Sequence, residues 1–138
     1  MNLPLTGRCN CGAVAFEITE PLISSTYCHC TRCQRRTGTG ASANARVASE
    51  GFHILRGADR LRSWAPADGA EKFFCGDCGS AMFSRGNNAW IGVRLGVIDG
   101  DPGIRPTAHQ YVDYAAVWEP LPDDGLPRHP ESARARNA

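Results

Sequence analysis

The sequence predicts a mainly β domain of short antiparallel strands with one short helical turn. Apolar and polar residues alternate in short runs, as in half-buried strands. Turn-forming residues recur at intervals of about ten residues, and no long run has helical periodicity. The 138 residues are enough for one domain with a hydrophobic core. We expect this domain to span residues 1–131 and residues 132–138 to form a disordered tail.

The first predicted elements lead into a cluster of cysteines. Residues 12–19 alternate in polarity and predict a strand, and residues 22–27 predict a second one. Thr31 is a suitable N-cap and Gly38 a suitable C-terminal stop, so a helical turn is expected over residues 32–37. Such a turn would direct backbone N–H groups towards the neighbouring thiols and favour their thiolate form.

The remaining elements are short strands separated by Gly- and Pro-rich turns. They are predicted over residues 41–47, 51–55, 61–64, 71–74, 81–84, 89–98 and 108–112. The run over residues 89–98 is the most apolar and is the best candidate for a central strand. The sequence Gly86-Asn87-Asn88 predicts the turn before it.

Composition excludes several classes of function. The net charge of +1 argues against a general nucleic-acid binder, which needs concentrated positive charge. No apolar run reaches membrane-spanning length, and the N-terminus lacks the apolar region of a secretory signal, so we expect a cytoplasmic protein. Fourteen of the fifteen basic residues are Arg, with Lys72 the exception. This bias suits bidentate contacts to carboxylate or phosphate, or reflects coding composition.

Seven cysteines in a reducing compartment indicate metal ligands rather than disulfides, and an odd number cannot all pair. They fall into three groups: Cys9 and Cys11; Cys28, Cys30 and Cys33; Cys75 and Cys78. Zinc prefers four ligands in a closed structural site, and a site with three protein ligands keeps one position open. Joining the first and third groups gives one closed site, and the central group then forms an open site.

Other partitions remain open at this point. Cys75 and Cys78 can combine with two members of the central group, or a histidine, His29 or His109, can complete a second closed site. Alternation along an extended segment directs the side chain of His29 away from a metal shared by its two neighbours. Both metal sites can also be purely structural, because zinc binding supplies folding free energy.

An open three-thiolate zinc suits thiol chemistry. Soft sulfur ligands suit zinc, and metal binding deprotonates an incoming thiol, so a substrate thiolate is the expected fourth ligand. Such a thiolate is a nucleophile or a leaving group in carbon–sulfur chemistry. Arg35 and Arg36 follow the central cysteines and are candidate contacts for a substrate carboxylate. A thiol that bears carboxylates, such as glutathione, fits both features.

These motifs together resemble those of one known family, the glutathione-dependent formaldehyde-activating enzymes, which share a domain with centromere protein V. The matching motifs are GRCNCG at residues 7–12, CHCTRCQRRTG at 28–38, FCGDCG at 74–79, LGVID at 95–99, PTAH at 106–109 and LPRHP at 126–130. The resemblance covers roughly residues 5–131. It implies a β-rich zinc-binding fold of the Mss4-like type.

The resemblance also implies two zinc ions and an activity. It assigns a structural zinc to Cys9, Cys11, Cys75 and Cys78, and an exchangeable, catalytic zinc to Cys28, Cys30 and Cys33. The implied activity is that of a carbon–sulfur lyase, run towards S-(hydroxymethyl)glutathione from glutathione and formaldehyde. The alternative is a non-catalytic carrier of glutathione or another thiol, or a binding module with two structural zinc sites. We expect a small-molecule thiol as partner, and neither a membrane nor nucleic acid.

Overall fold

The computed structural model describes residues 3–86 and 89–133. Its strands are β1 (Leu5–Arg8), β2 (Ala15–Ile18), β3 (Ser24–Cys28), β4 (Ser42–Ala48), β5 (Phe52–Arg56), β6 (Leu61–Trp64), β7 (Glu71–Cys75), β8 (Ala81–Arg85), β9 (Trp90–Arg94) and β10 (His109–Gln110). One α-helix, α1 (Thr31–Thr37), lies between β3 and β4 in this part of the chain. Short 3₁₀ turns cover Ser49–Gly51, Ala58–Arg60, Leu95–Val97 and Val112–Tyr114.

The strands form two sheets that are almost wholly antiparallel. The smaller sheet has the order β1-β2-β5, and the larger one the order β10-β3-β4-β9-β8-β7-β6. Only the pairing of β10 with β3 is parallel among the described ladders. The prediction of a mainly β fold of short antiparallel strands with one short helix is therefore confirmed.

One hydrophobic core joins the two sheets. Phe16 and Ile18 of the smaller sheet are fully buried, as are Val47 and Ile91 of the larger one. The rings of Phe52 and Phe83 connect the sheets, with centroids 4.7 Å apart. Such a core holds the strand ends rigidly, which is what a metal site at those ends requires.

The strand predicted to be central is the fourth of the seven strands in the larger sheet. It is shorter than expected: β9 ends at Arg94, and the apolar residues that follow form the 3₁₀ turn Leu95–Val97. Ile98 then bridges to Gly7 of β1, so this turn carries the chain from the larger sheet to the smaller one. The strand β1 was not predicted, because four residues that include Gly7 and Arg8 give little alternation.

The predicted helical turn is confirmed, but its predicted N-cap is wrong by one residue. Cys30 caps α1, and its Sγ accepts a hydrogen bond from the backbone N–H of Cys33 at 3.3 Å. Thr31 is the first helical residue instead. Gly38 ends the helix in the left-handed conformation with φ of 70°, as predicted.

Two predictions fall partly outside the described residues. Asn87 and Asn88 of the predicted turn are not described, and neither are residues 134–138 of the predicted tail. Ala133 donates its backbone N–H to the side-chain oxygen of Gln110 at 3.0 Å. None of the helices in residues 3–86 and 89–133 has the length and apolar character needed to span a bilayer.

Candidate metal centres and the cleft beside them

The fold brings Cys9, Cys11, Cys75 and Cys78 together from two distant parts of the sequence. Cys9 and Cys11 follow β1, whereas Cys75 ends β7 and Cys78 lies in the turn before β8. All four Sγ atoms lie within 4.8 Å of one another. The Sγ atoms of Cys9 and Cys11 are 3.7 Å apart, and those of Cys11 and Cys75 are 3.8 Å apart. Zn–S bonds of about 2.3 Å in a tetrahedron place sulfurs about 3.8 Å apart, so this donor set fits zinc.

Backbone N–H groups and a hydroxyl support the sulfurs of this four-cysteine cluster. Cys9 Sγ accepts from the N–H of Val14 at 3.3 Å, and Cys75 Sγ from that of Asp77 at 3.4 Å. Contacts with the Ser80 hydroxyl lower the pKa of Cys78 to about 5. Hydrogen bonds of this kind favour thiolates, which are the ligand form that zinc requires.

The second cluster contains Cys28, Cys30 and Cys33, whose Sγ atoms also lie within 4.8 Å of one another. Cys28 ends β3, Cys30 caps α1 and Cys33 lies in the first turn of that helix. The neighbouring sulfurs of Cys30 and Cys33, together with burial, raise the pKa of Cys28. Hydrogen bonds from Cys28 and Cys30 lower the pKa of Cys33. The sulfurs of Cys28 and Cys33 therefore lie close enough for each to change the proton affinity of the other.

Neither His29 nor His109 belongs to a cysteine cluster. His29 Nε2 lies 2.8 Å from His109 Nδ1, and His109 Nε2 lies 2.8 Å from Asp124 Oδ2. His29 thus hydrogen-bonds away from the cysteines on either side of it, as strand alternation predicts. The chain of hydrogen bonds His29–His109–Asp124 ties the residue that follows β3 to β10 and to the C-terminal segment.

The three-cysteine cluster opens on a cleft of about 630 Å³. Five cationic side chains line this cleft: Arg32, Arg36, Arg46, Lys72 and Arg94. Its one lining carboxylate among the described residues is Asp68, which pairs with Arg32 at 3.0 Å. Trp90, Tyr111 and Tyr114 add aromatic surface. We call this space the cationic cleft.

Most of the charge in the cationic cleft lacks an acidic partner. Across residues 3–86 and 89–133, no carboxylate lies within ion-pair distance of Arg36, Lys72 or Arg94. Arg94 donates instead to the side-chain oxygen of Asn44 at 2.7 Å. Burial lowers the pKa of both Arg36 and Lys72, because each cation has lost part of its hydration. An anionic ligand would restore the lost interactions.

The two arginines predicted to contact substrate lie in different environments. Arg36 is half-buried and lines the cationic cleft. Arg35 is exposed and is not among the described residues that line it. Consecutive helical residues point in directions about 100° apart, so only one of the pair faces the cysteines.

Sequence reasoning missed the strand residues of the cationic cleft. Register alone brings them together: Asn44 pairs with Arg94, and Arg46 pairs with Gly92. Pairing between distant strands cannot be read from local spacing. The signal within the sequence was the polar pair Asn44 and Arg46, spaced by two along a predicted strand, and the single lysine, Lys72.

Comparisons with known proteins agree with this description. A family model described as "Glutathione-dependent formaldehyde-activating enzyme" matches residues 4–114. The chain is 31% identical over 85 residues to a protein of Halomonas elongata named "Putative glutathione-dependent formaldehyde-activating enzyme". That alignment covers 57% of this chain and 54% of the relative, so the chain spans about half the relative's length.

A similar solved structure supports the fold. It is the crystal structure of a Rhodobacter sphaeroides protein, with a TM-score of 0.61 and 25% sequence identity. The similarity covers 90% of this chain and 98% of that one. Because the family model covers well over half of the sequence, the chain belongs to the family of glutathione-dependent formaldehyde-activating enzymes.

Proposed function

We propose that this protein is a zinc-dependent carbon–sulfur lyase that acts on an adduct of a glutathione-type thiol. Its reaction would be similar to the synthesis of S-(hydroxymethyl)glutathione from glutathione and formaldehyde. The observation that carries the proposal is the position of the three-cysteine cluster, which opens on a cleft lined by cations. Family membership supports the same reaction.

The two cysteine clusters would have different roles. Cys9, Cys11, Cys75 and Cys78 would hold a structural zinc, since four sulfurs complete its coordination. Cys28, Cys30 and Cys33 would hold an exchangeable zinc. When bound there, zinc would supply a soft Lewis acid that keeps an incoming thiol in its thiolate form near neutral pH.

The cationic cleft would bind the rest of the thiol substrate. Glutathione carries two carboxylates, and Arg36 offers a guanidinium that can bind one of them in bidentate fashion. Arg94 is held in place by its hydrogen bond to Asn44, which reduces the entropy lost when it binds an anion. A volume of about 630 Å³ is within the range of sites for small molecules.

The chemical step is reversible and needs no redox partner. In synthesis, a sulfur lone pair forms the S–C bond and the carbonyl π electrons move to the aldehyde oxygen, which takes up a proton. In cleavage, the hydroxyl proton leaves, the C=O bond forms again and the S–C electron pair returns to sulfur. The side chains of the cleft would hold both partners in reacting geometry.

We also propose that the protein works in a reducing compartment such as the cytoplasm. The sulfurs lie in groups of four and three that suit metal binding. Thiol substrates and thiolate ligands both need such conditions.

Exchange spectroscopy tests the proposal. Carbon-13 formaldehyde and glutathione are mixed with zinc-loaded protein, and NMR measures the rate of exchange between free aldehyde and adduct. The wild-type protein should accelerate exchange over buffer, whereas Cys30→Ser should remain folded and lose the effect. Glutathione binding without acceleration by the wild type would favour the non-catalytic carrier instead. Neither binding nor acceleration would contradict both.

A further inference from the structure

Lys72 is the only lysine of the chain, and it lies in the cationic cleft with the three-cysteine cluster. It belongs to β7, where it pairs with Ser84 of β8, which also lines the cleft. Its side chain is half-buried. The fold therefore places the one primary amine among the chain's side chains beside the proposed thiol site.

The surroundings of Lys72 are mainly cationic. Burial lowers the pKa of the Lys72 ammonium, and the charge of Cys33 raises it. Three nearby guanidinium groups lower it further: those of Arg36, Arg32 and Arg94. These groups come from α1 and β9.

The acidic group of the cleft does not neutralise Lys72. Asp68, from the loop between β6 and β7, pairs with Arg32 instead. Within the described ranges, Lys72 has no carboxylate within ion-pair distance. Structural lysines are usually held in an ion pair or exposed to solvent, and Lys72 is neither.

Lysine and arginine differ in the chemistry that they can perform. A guanidinium stays protonated throughout the pH range of proteins, so it can bind an anion but cannot release a proton. An amine next to other cations and partly removed from water can both donate and accept one. At fourteen other basic positions this chain uses arginine. The exception lines the cleft where the proposed reaction would need proton transfer.

We propose that Lys72 is a catalytic residue that exchanges a proton with the oxygen of the aldehyde. This inference rests on the proposed function, and adds the group that completes its chemistry. In synthesis, the S–C bond forms, the π electrons move to oxygen, and the Lys72 ammonium donates its proton to that oxygen. The proton lost by the next incoming thiol restores the ammonium. In cleavage, the Lys72 amine removes the hydroxyl proton while the S–C pair returns to sulfur, and the departing thiolate takes up that proton and restores the amine.

The same exchange experiment tests Lys72 with paired variants. Lys72→Arg keeps the positive charge and removes the transferable proton, while Lys72→Met removes both. Both variants should reduce the protein's acceleration of exchange by about 10²- to 10⁴-fold, the usual contribution of general acid–base catalysis. Lys72→Arg should bind glutathione within about threefold of wild type, because binding depends on charge. Arg62→Lys, an exposed position on β6, is the matched control and should exchange as wild type does.

The outcomes separate the two proposals. If wild type fails to accelerate exchange, the proposed function is overturned and the role of Lys72 with it. If wild type accelerates exchange and Lys72→Arg does so equally, only the role of Lys72 is overturned.

A second measurement does not depend on the variants of Lys72. Formaldehyde with cyanoborohydride methylates amines, and mass spectrometry of the Arg62→Lys protein compares Lys72 with the exposed lysine that this change introduces. The rate is followed against pH, because the midpoint of each profile reports loss of the proton whereas the absolute rate also depends on access. A lower midpoint for Lys72 than for the exposed lysine supports an amine that gives up its proton readily, and an equal or higher midpoint would overturn the proposal.

Discussion

Replacing Arg36 by methionine should weaken glutathione binding far more than replacing Arg35 in the same way. Both residues lie on α1 near the central cysteines, and both changes remove one positive charge. Only Arg36 lines the cationic cleft, where it is half-buried and has no carboxylate partner among the described residues. Methionine keeps most of the apolar stem, so loss of packing contributes little.

The size of the effect follows from the type of contact. A hydrogen bond to a charged group contributes about 1.5–3 kcal/mol, which is about 10- to 150-fold in affinity. Arg35→Met should change affinity by less than about threefold, because an exposed charge is screened by solvent and salt. The affinity of Arg36→Met should also depend less on salt than that of wild type.

Isothermal titration calorimetry of zinc-loaded protein with glutathione, at several salt concentrations, measures these quantities. Equal losses in the two variants would mean that long-range charge, rather than contact in the cleft, attracts the ligand. No loss in Arg36→Met would refute the assignment of this arginine to the substrate.

Two further predictions concern the metal centres and the C-terminal segment. Cys75→Ser should lower the melting temperature strongly, because Cys75 is fully buried in the core. Cys30→Ser should lose metal from the central site with a smaller change in melting temperature. Equal destabilisation by the two changes would indicate two structural sites. Asp124→Asn should destabilise the protein near neutral pH, while Asp123→Asn should not. The hydrogen bond from His109 holds the pKa of Asp124 below its usual value. The ionised Asp124 carboxylate therefore stabilises the fold above about pH 4, and this stabilisation is lost as the pH falls through the folded-state pKa. Chemical denaturation measures the free energy of unfolding of both variants at pH 7 and at pH 3. If the two variants differ in this free energy by the same amount at both pH values, the role of the Asp124 carboxylate is contradicted.

Counting ligands favoured one set of four thiols and one set of three, although it left other partitions open. The structure brings those two sets together, Cys9, Cys11, Cys75 and Cys78 in one and Cys28, Cys30 and Cys33 in the other. The place of His29 could also be predicted, since alternation in an extended segment directs it away from its two cysteine neighbours.

The cationic cleft could not be predicted in the same way. Arg94 and Arg46 meet through the register between β4 and β9, which depends on packing across the whole sheet. The N-cap of α1 was missed for a different reason. Capping preferences favour Thr31, but the sulfur of Cys30 accepts the hydrogen bond from the N–H of Cys33, a local contact that the usual preference for oxygen-bearing caps does not indicate.

A crystal structure with zinc-edge anomalous diffraction, measured with and without glutathione, tests the two metal centres most directly. Anomalous peaks are expected at both cysteine clusters. After soaking, a glutathione sulfur is expected within about 2.3 Å of the metal held by Cys28, Cys30 and Cys33. A peak at the four-cysteine cluster alone, or a central zinc with a fourth ligand from the protein that glutathione leaves unchanged, would contradict these expectations.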